Sequence, residues 1–488
     1  MITFLVSLVI LFLGYMIYGR IVEKIFVIQE DRVTPAIKLE DGVDFVPLPA
    51  WKIFMIQFLN ISGLGPIFGA IAGAMFGPAA FLWIVFGAII AGGVHDFMSG
   101  MLSLRNDGRS VAELVGHYLG EPFRVAMRVI SVVLLLLVGV VFVMGPAAIL
   151  HDLTGMDTAL LMGIIFTYYI VATLVPVDKI IGKIYPFFGA ALLFMALGVG
   201  GALIVGDYQI PELFGNMHNF QSNPDEIPIF PMLFITIACG AISGFHATQS
   251  PLMARCITNE KQARPVFYGS MLAESVVALI WAAAAMVIFG DINGLNASGE
   301  SPASIVNNVS TTMLGTAGGA LAIVGVVVAP ITSGDTAFRS ARLTIADAFR
   351  FPQKKLMNRL YIAVPLFGLA LLITQIDFSI IWRYFGFTNQ LIATMVLWAA
   401  SAYFVSEEKN YFLTLIPAVF MTSVVTSFLL MSKIGFNLPV TISQYLGVAI
   451  AIVIGIIFML VKDRVYGPIT PELTEPMGEI KNSHSCKR

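Results

Sequence analysis

Two long apolar runs are each interrupted by residues suited to holding a solute or an ion. Asn60-Ile61-Ser62-Gly63 breaks the run 54–76, and Ile242-Ser243-Gly244 breaks the run 230–253. Glycine and serine in the middle of a membrane-length helix free backbone groups that lipid cannot satisfy. Freed N–H groups attract anions, and freed carbonyls attract cations. We therefore predict two broken spans that line a solute site, with a substrate carboxylate on the N–H groups after Ser62.

The predicted substrate contacts are the small and polar residues at these breaks. They are Asn60, Ser62, Gly63 and Gly65 at the first break, and Ser243, Gly244, His246 and Gln249 at the second. Glycine also recurs every four residues from Gly65 through Gly69 to Gly73, which leaves one helix face bare. Such a face suits either close helix packing or the wall of a cavity.

Three ionisable residues in apolar surroundings are predicted to relay protons. Glu274 lies well inside one apolar run, His246 follows the second break, and Asp335 lies near the end of another run. An ionisable side chain at membrane depth is costly and marks function by default. Each also has a structural interpretation, namely a hydrogen-bonded carboxyl, a structural histidine and an i,i+4 pair with Arg339 respectively.

Adjacent hydroxyls at Thr332 and Ser333 predict a site for a hard cation such as sodium. Backbone carbonyls near Leu59 and Ser62, freed by the first break, would complete its oxygen ligands. The i,i+4 pair formed with Arg339 is the competing explanation for the neighbouring carboxylate.

His95-Asp96 and Arg383 are predicted to be gate or structural residues. The His-Asp pair closes an apolar run on its predicted cytoplasmic side, and no third partner follows at helical spacing. Arg383 lies between Trp382 and Tyr384, a setting typical of a membrane interface, although it could also clamp a carboxylate.

Composition identifies an integral membrane protein. The 488 residues are 58% hydrophobic and only 12% charged, and the mean hydropathy is +0.87; soluble domains carry about 25% charged residues. The lipid bilayer is therefore a partner, and a net charge of −2 gives no indication of nucleic acid. Three scattered cysteines predict neither a disulfide framework nor a metal-binding spacing. The N-terminus lacks the basic region of a signal peptide, so we expect a retained first span.

Thirteen apolar runs are long enough to cross ~30 Å of hydrocarbon. They fall at 2–19, 53–76, 79–101, 125–150, 157–177, 183–205, 230–253, 267–290, 315–337, 359–375, 379–404, 411–432 and 441–461. With the N-terminus outside, the cytoplasmic segments hold 26 of the 28 Lys and Arg residues. Only Arg383 and Lys433 fall elsewhere, so the positive-inside rule favours this orientation, with a cytoplasmic C-terminus.

The two interrupted runs begin five spans apart, so they cross the membrane in opposite directions. This offset predicts an inverted repeat of five helices in each half. The expected organisation is an accessory span and cytoplasmic segment at 1–52, repeat 1 at 53–205 with its break at 60–66, repeat 2 at 206–404 with its break at 239–246, two accessory spans at 405–466, and a disordered cytoplasmic tail at 467–488.

Six stretches of the sequence resemble the carbon starvation protein A family. They are NISGLGPIFGAIAG at 60–73, LWI at 82–84, VHDF at 94–97, SGFHATQSP at 243–251, SGDTAFRSAR at 333–342 and FTNQL at 387–391. The likeness covers nearly the whole chain. The chain is shorter than the longest members of that family, so the functions of their extra segments do not carry over.

The resemblance implies an all-α, polytopic fold of the amino acid–polyamine–cation (leucine-transporter-like) type, with two inverted five-helix repeats that each begin with a broken helix. It also implies a bacterial inner membrane location, with the N-terminus periplasmic. In sodium-coupled members of that fold a cation lies between the first broken helix and a Thr/Ser pair, which Thr332 and Ser333 match. Asn389 and Gln390 fall on the tenth core helix, which often belongs to the outer gate, and we add them to the predicted substrate contacts.

The leading hypothesis is a cation-coupled symporter that imports short peptides during carbon starvation by alternating access. A proton-coupled symporter of pyruvate or another small carboxylate is the alternative, and both proton and sodium remain open as the coupling ion. We expect no cofactor and no enzymatic activity, and the oligomeric state is not readable from sequence. A proton-conducting respiratory subunit would need lysines in mid-span, which are absent here. A channel and an intramembrane enzyme are the remaining alternatives, and no nucleophile–base signature supports the enzyme.

Overall fold

The described residues form helices joined by short connections. The computed structural model describes residues 1–42, 44–174, 177–353 and 355–465. The main helices are α1 (Ile2–Phe26), α2 (Ala50–Ile61), α3 (Gly65–Ala74), α4 (Ala79–Arg105), α5 (Val111–Leu119), α6 (Glu121–Thr154), α7 (Thr158–Leu174), α8 (Val177–Val205), α9 (Ile229–Thr236), α10 (Gly244–Ala254), α11 (Glu260–Ile288), α12 (Ile292–Ser298), α13 (Pro302–Ala348), α14 (Leu356–Ile373), α15 (Phe378–Ser406), α16 (Phe412–Met431) and α17 (Val440–Val465).

Eight of the described helices are long and apolar enough to cross a membrane, and α2 with α3 adds a ninth if the bent pair is one span. Burial separates core helices from peripheral ones. The most apolar windows of α4 and α11 are 83% buried, whereas those of α14 and α17 are 22% buried. Since lipid covers peripheral helices, the apolar exposed faces of α14 and α17 fit contact with lipid.

The longest described helix, α13, packs against α6. Its N-terminus is capped by the Ser301 hydroxyl, which accepts a hydrogen bond from the Ser304 amide at 3.1 Å. The helix is interrupted at Gly315, whose φ of +66° is left-handed and suits glycine. The helix ends at Ala348, eleven residues beyond the apolar run predicted at 315–337.

Every predicted span overlaps a described helix, so the prediction of an all-helical, polytopic protein is confirmed. The number of membrane crossings, the inverted repeat and the domain boundaries stay predictions. The predicted tail at 467–488 lies outside the described residues.

Candidate functional site: the junction of two broken helices

The first break separates α2 from α3 and bends the pair by 54°. Ser62 leaves helical geometry with φ −83° and ψ 53°, and Pro66, in the first turn of α3, has no N–H to donate. The Ser62 amide still bonds the Phe58 carbonyl at 2.9 Å, which closes the last turn of α2. The break predicted at 60–66 is therefore present, and its non-helical centre is residues 62–64.

The second break lies between α9 and α10, and residues 237–243 are non-helical. Gly240 has a φ of +90°, a backbone conformation that side chains disfavour. The sequence predicted this break at 239–246, so the start of the interruption was placed two residues late and its end three residues late. His246 therefore lies in the first turn of α10 rather than in unwound chain.

The two breaks are in direct contact. A Cβ added to Gly65 would lie 2.3 Å from the Cys239 Cβ, and one added to Gly73 would lie 2.3 Å from the Ile237 side chain. At Gly69 an added Cβ would lie 3.0 Å from the Thr236 carbonyl oxygen. The glycines spaced every four residues thus form the face on which the second broken helix packs, as close helix packing requires.

A buried chain of three charged groups lies beside this contact. His246 Nδ1 is 2.8 Å from Asp96 Oδ2, and His246 Nε2 is 3.2 Å from Glu274 Oε2. All three side chains have no exposed surface. Asp96 belongs to α4, His246 to α10 and Glu274 to α11, so the chain joins three helices. Two carboxylates around one imidazole can share protons, and burial makes any uncompensated charge costly.

Asp96 lies inside α4, and the prediction that it closes a span is wrong. It lies nine residues before the end of α4 and is fully buried. Its Oδ1 atom also lies 2.8 Å from His95 Nδ1. Its missing third partner is His246, which is 150 residues away in the chain. The pair is thus part of the central cluster, and helical spacing within one element was the wrong place to search for its partner.

Cys239 approaches the same cluster from the second break. One ligand atom each from Cys239, His246 and Glu274 lie within 4.8 Å of one another. A metal ion could use such a set, but both imidazole nitrogens already face carboxylates at 3.2 Å or less. His246 Nε2 and both Glu274 oxygens make no hydrogen bond among the described residues, so these atoms suit a shared proton and equally a metal ion.

A pair of buried serines fastens α4 to α10 one turn beyond the Asp96–His246 contact. Ser99 Oγ donates to Ser250 Oγ at 3.0 Å, and Ser250 Oγ donates to the His246 carbonyl at 3.0 Å. These bonds fix the register of the two helices, so the carboxylate and the imidazole face each other.

Asn389 and Gln390 of α15 bind the two ends of the second break. Asn389 Oδ1 accepts from the Phe245 amide at 2.7 Å and from the Ser243 hydroxyl at 3.1 Å, so it caps α10 from another helix. Gln390 Nε2 donates to the Phe234 carbonyl at 2.8 Å, near the end of α9. Both residues thus lie at the predicted site, where they hold the break open.

The polar groups of the first break contrast with this arrangement. Both amide atoms of Asn60 and the hydroxyl of Ser62 are buried and have no hydrogen-bond partner among the described residues. The same holds for Gln249 Oε1, on α10. Buried polar atoms are normally hydrogen-bonded, so each of these asks for an explanation, and a bound solute or water supplies one.

The predicted cation residues lie beside the first break. Ser333 Oγ donates to the Leu59 carbonyl and to the Ala329 carbonyl, both at 3.0 Å. Thr332 Oγ1 donates to the Ala329 carbonyl at 2.8 Å. The structure therefore brings Ser333 to one of the carbonyls predicted from sequence, across the interface between α13 and α2.

Two predicted residues remain, Asp335 and Arg383. Asp335 is fully buried and pairs with Arg339 in its own helix at 3.9 Å, as the structural interpretation expected. Arg383 is exposed on α15, which fits an interfacial position.

Sequence reasoning missed three residues that belong to the site. Cys239 packs on Gly65, the Trp83 indole donates to the Ile237 carbonyl at 2.9 Å, and Gln57 is buried one turn before the first break. Gln57 carried a readable signal, because an amide within an apolar run is costly unless it is bonded. The other two depend on contacts across the fold.

A protein-family comparison matches nearly the whole chain. The family described as Carbon starvation protein CstA matches residues 1–145, 144–317 and 301–428.

Curated relatives include an uncharacterized membrane protein and two named transporters. An uncharacterized membrane protein of Haemophilus influenzae is 46% identical over 332 residues, covering 58% of this chain and 89% of that protein. Peptide transporter CstA of Bacillus subtilis is 27% identical over 527 residues, covering 85% and 87%. Pyruvate/proton symporter BtsT of Escherichia coli is 29% identical over 331 residues, covering 55% of this chain and 46% of that protein.

Solved structures show a common fold at low identity. A manganese transporter of Eremococcus coleocola aligns with a TM-score of 0.60 and 14% identity over 88% of this chain and 99% of that chain. MhsT in complex with L-phenylalanine aligns with a TM-score of 0.54 and 14% identity over 84% and 98%. Both have the leucine-transporter-like fold, and the chain shares it.

Proposed function

The chain belongs to the carbon starvation protein CstA family, and from this premise we propose that it is a proton-coupled symporter of small carboxylate-bearing solutes. The observation that carries the proposal is the contact between two broken helices with the Asp96–His246–Glu274 chain beside it. Relatives named as a peptide transporter and as a pyruvate/proton symporter support the same class of activity.

We propose that the solute binds at the first break. Asn60 and Ser62 offer two donors and acceptors that no described residue uses. The N-terminus of α3 adds freed backbone N–H groups and the positive end of a helix dipole, which attract a carboxylate. Gln249, on the adjacent α10, contributes a further acceptor on the side of the second break.

We propose that the coupled proton binds at the three-residue chain, which includes two of the relay residues expected from sequence. With both carboxylates ionised and the imidazole protonated, the cluster carries one net negative charge. One more proton brings it to neutrality, and a neutral cluster is easier to keep away from water. Loading and unloading this proton therefore switches the buried cluster between one net negative charge and neutrality, which changes the energy of keeping it away from water.

Contact between the breaks supplies the coupling. A symporter must bind solute and ion more favourably together than apart. Gly65 of the first break packs on Cys239 of the second, and Cys239 lies within 4.8 Å of the proton-binding side chains. A solute that spreads the breaks would therefore shift the cluster, and a proton on the cluster would alter the fit of the solute.

The organisation proposed for this cycle is the inverted repeat, with repeat 1 at 53–205 and repeat 2 at 206–404, in a bacterial inner membrane with a periplasmic N-terminus. The shared fold and the charge distribution of the loops support it. Alternating access would then rock one group of helices against the other around the junction.

A short peptide is the first candidate solute, because curated relatives are named as peptide transporters. The tight packing of Gly65 on Cys239 favours a smaller solute such as pyruvate as the second. For the ion, the Ser333–Leu59 contact favours sodium as the second candidate, since it joins a hydroxyl to a carbonyl beside the first break.

Uptake into proteoliposomes tests the proposal. The protein is reconstituted with an inward proton gradient, an inward sodium gradient or neither, and labelled dipeptide or pyruvate is supplied outside. We expect accumulation above the external concentration with the proton gradient, abolished by a protonophore. Equilibration without accumulation under both gradients would contradict a symporter and favour a channel, and accumulation with sodium alone would move the ion to Thr332 and Ser333.

A further inference from the structure

A second buried ion pair lies at the cytoplasmic ends of the helices that carry the proton site. Arg105 closes α4, and Glu260 opens α11. Arg105 Nε and Nη2 bind the two oxygens of Glu260 at 3.1 and 3.0 Å. The side chains are 8% and 0% exposed, so this is a bidentate pair removed from water.

The chain segment that follows α1 completes this pair. The Val27 carbonyl accepts from Arg105 Nη2 at 2.8 Å, and the Gln29 amide donates to Glu260 Oε2 at 2.6 Å. The Arg105 guanidinium also lies 4.3 Å from the centre of the Phe26 ring. Residues 26–32 are here called the strap. They lie in the accessory segment expected at 1–52, outside both proposed repeats.

The backbone of the strap is strained where it meets Arg105. Val27 has a φ of +62°, in the left-handed region that a β-branched residue avoids. Such a conformation persists only where the surroundings hold it. The carbonyl bond to Arg105 is one such restraint, so release of the ion pair would also relax the strap.

A third element seals the pair from the side of α15. The Tyr403 hydroxyl accepts from Arg105 Nη1 at 3.0 Å, and its ring stacks on Phe26 with centres 5.5 Å apart. Lys409, just after α15, donates to the Phe26 carbonyl at 2.7 Å. Four separate stretches of chain therefore converge on one buried ion pair.

We infer that the Arg105–Glu260 pair and the strap form a cytoplasmic latch that is closed in this structure. The inference rests on the proposed function, because α4 and α10 carry Asp96 and His246, and their cytoplasmic ends must part to release a solute inward. The latch holds the end of α4, the connection after α10 and the end of α15 together. Withdrawal of the strap would remove the contacts of Val27 and Gln29 to Arg105 and Glu260 and would open this side of the pair to water.

Cys256 is a native reporter of the latch. It lies two residues after α10 and four before Glu260, and it is 4% exposed. Burial raises the pKa of its thiol to about 12, so it reacts slowly with alkylating reagents while the latch is closed. The Cys256 carbonyl accepts a hydrogen bond from the Leu48 amide at 3.1 Å, in the same cytoplasmic segment that begins with the strap. We therefore expect withdrawal of the strap to loosen this cover and to increase the reactivity of the thiol.

The test measures alkylation of Cys256 by mass spectrometry in the purified full-length protein. Glu260→Gln removes the buried charge partner, and we expect Cys256 to react about tenfold faster or more. Matched controls break exposed pairs on the same face: Asp107→Asn frees Lys38, and Glu30→Gln within the strap frees Lys261, with partners 42–59% exposed. Both controls should react within about twofold of the wild type.

Tyr403→Phe provides a milder second variant in case Glu260→Gln does not fold. It removes one hydroxyl from Arg105, and we expect an alkylation rate between those of the controls and Glu260→Gln. All samples are assayed well below their measured melting temperatures, so global unfolding does not contribute. Rates in folded Glu260→Gln or Tyr403→Phe that match the controls would overturn the latch.

The alkylation experiment does not require transport, so it separates the two proposals. If Cys256 reacts faster in Glu260→Gln but the wild type accumulates no solute, the latch stands and the symporter is refuted. Accumulation with unchanged alkylation would refute the latch alone.

Discussion

The two breaks are alike in sequence and differ in how the polar side chains within them are bonded, although Gln249 Oε1 and Gln390 Oε1 beside the second break also have no hydrogen-bond partner among the described residues. At the second break, Asn389 caps α10, Gln390 binds the end of α9, and Trp83 binds the Ile237 carbonyl. At the first break, Asn60 and Ser62 keep side-chain atoms that no described residue bonds. Because unbonded buried polar atoms cost free energy, the first break is suited to a ligand that comes and goes.

The second break instead adjoins ionisable groups. His246 faces Asp96 and Glu274, and all three are fully buried. Under the proposed function the two breaks divide the work: the first break would offer neutral hydrogen-bonding groups to the solute, and the second would position groups that exchange a proton. Changes to single side chains follow in order of expected effect, and those at the two breaks test this division.

The largest effect is expected at Glu274. Glu274→Gln keeps the shape of the side chain but cannot take up a proton, so proton-driven accumulation should fall by about 100-fold or more, while exchange of labelled for unlabelled solute persists. Uptake and exchange are measured in the same proteoliposomes. Glu121→Gln, at a position 62% exposed, serves as the control. Equal loss of both activities would indicate a structural carboxyl instead.

The next effect concerns the affinity for solute at the first break. Asn60→Ala or Ser62→Ala should each weaken solute binding about tenfold, because a hydrogen bond to a carboxylate contributes roughly 1.5–3 kcal/mol. Calorimetric titration with a transported solute measures the change. If both variants bind as tightly as the wild type, the solute does not use these groups.

The comparison of the two breaks predicts that replacing an asparagine by alanine lowers the free energy of unfolding more at Asn389 than at Asn60. Asn389→Ala removes the cap of α10 and should lower the free energy of unfolding by about 1–2 kcal/mol. Asn60→Ala removes no bond to a described residue, and the loss of two unbonded buried polar atoms offsets the cavity it leaves, so it should lower the free energy of unfolding by less than Asn389→Ala does. Thermal unfolding in detergent compares them. Similar melting temperatures for the two variants would contradict the contrast drawn between the breaks.

The smallest effect lies far from both breaks, at the outer end of α1. Partial burial opposes ionisation of Glu212, but hydrogen bonds from the Met1 amine and from Thr3 outweigh it and lower its pKa to about 2. Its contribution to stability is therefore complete above its ordinary pKa of 4.5 and is lost as the pH falls toward 2. The side chain is 40% exposed, so the contribution is small.

A pH series of melting temperatures measures this contribution. The difference between wild type and Glu212→Gln should be constant above about pH 5 and shrink below pH 4.5. Glu226→Gln, exposed in the same loop, controls for the loss of a surface charge. A difference that grows on acidification would show that the sign is wrong.

The positions of the breaks could be predicted from sequence because their causes are local. Glycine, serine and proline within apolar runs weaken a helix wherever they fall, and the break after Ile61 follows directly. The second break was misplaced by two to three residues, since its limits depend on bonds from Trp83 and Asn389, which lie far away in the chain.

The charged chain could be predicted only in part. Glu274 and His246 were singled out because ionisable groups are rare at membrane depth. Asp96 is predicted only as a gate or structural residue, because its partner is 150 residues distant and no periodicity within α4 points to it. Pairing across helices depends on register, which Ser99 and Ser250 fix through contacts that only the fold reveals.

A cryo-electron microscopy map of the purified protein with a saturating transported solute tests the central claim most directly. We predict interrupted helices at 62–64 and 237–243, and solute density within hydrogen-bonding distance of Asn60 and Ser62. Solute density away from the junction, or a continuous helix through either interval, would contradict the account.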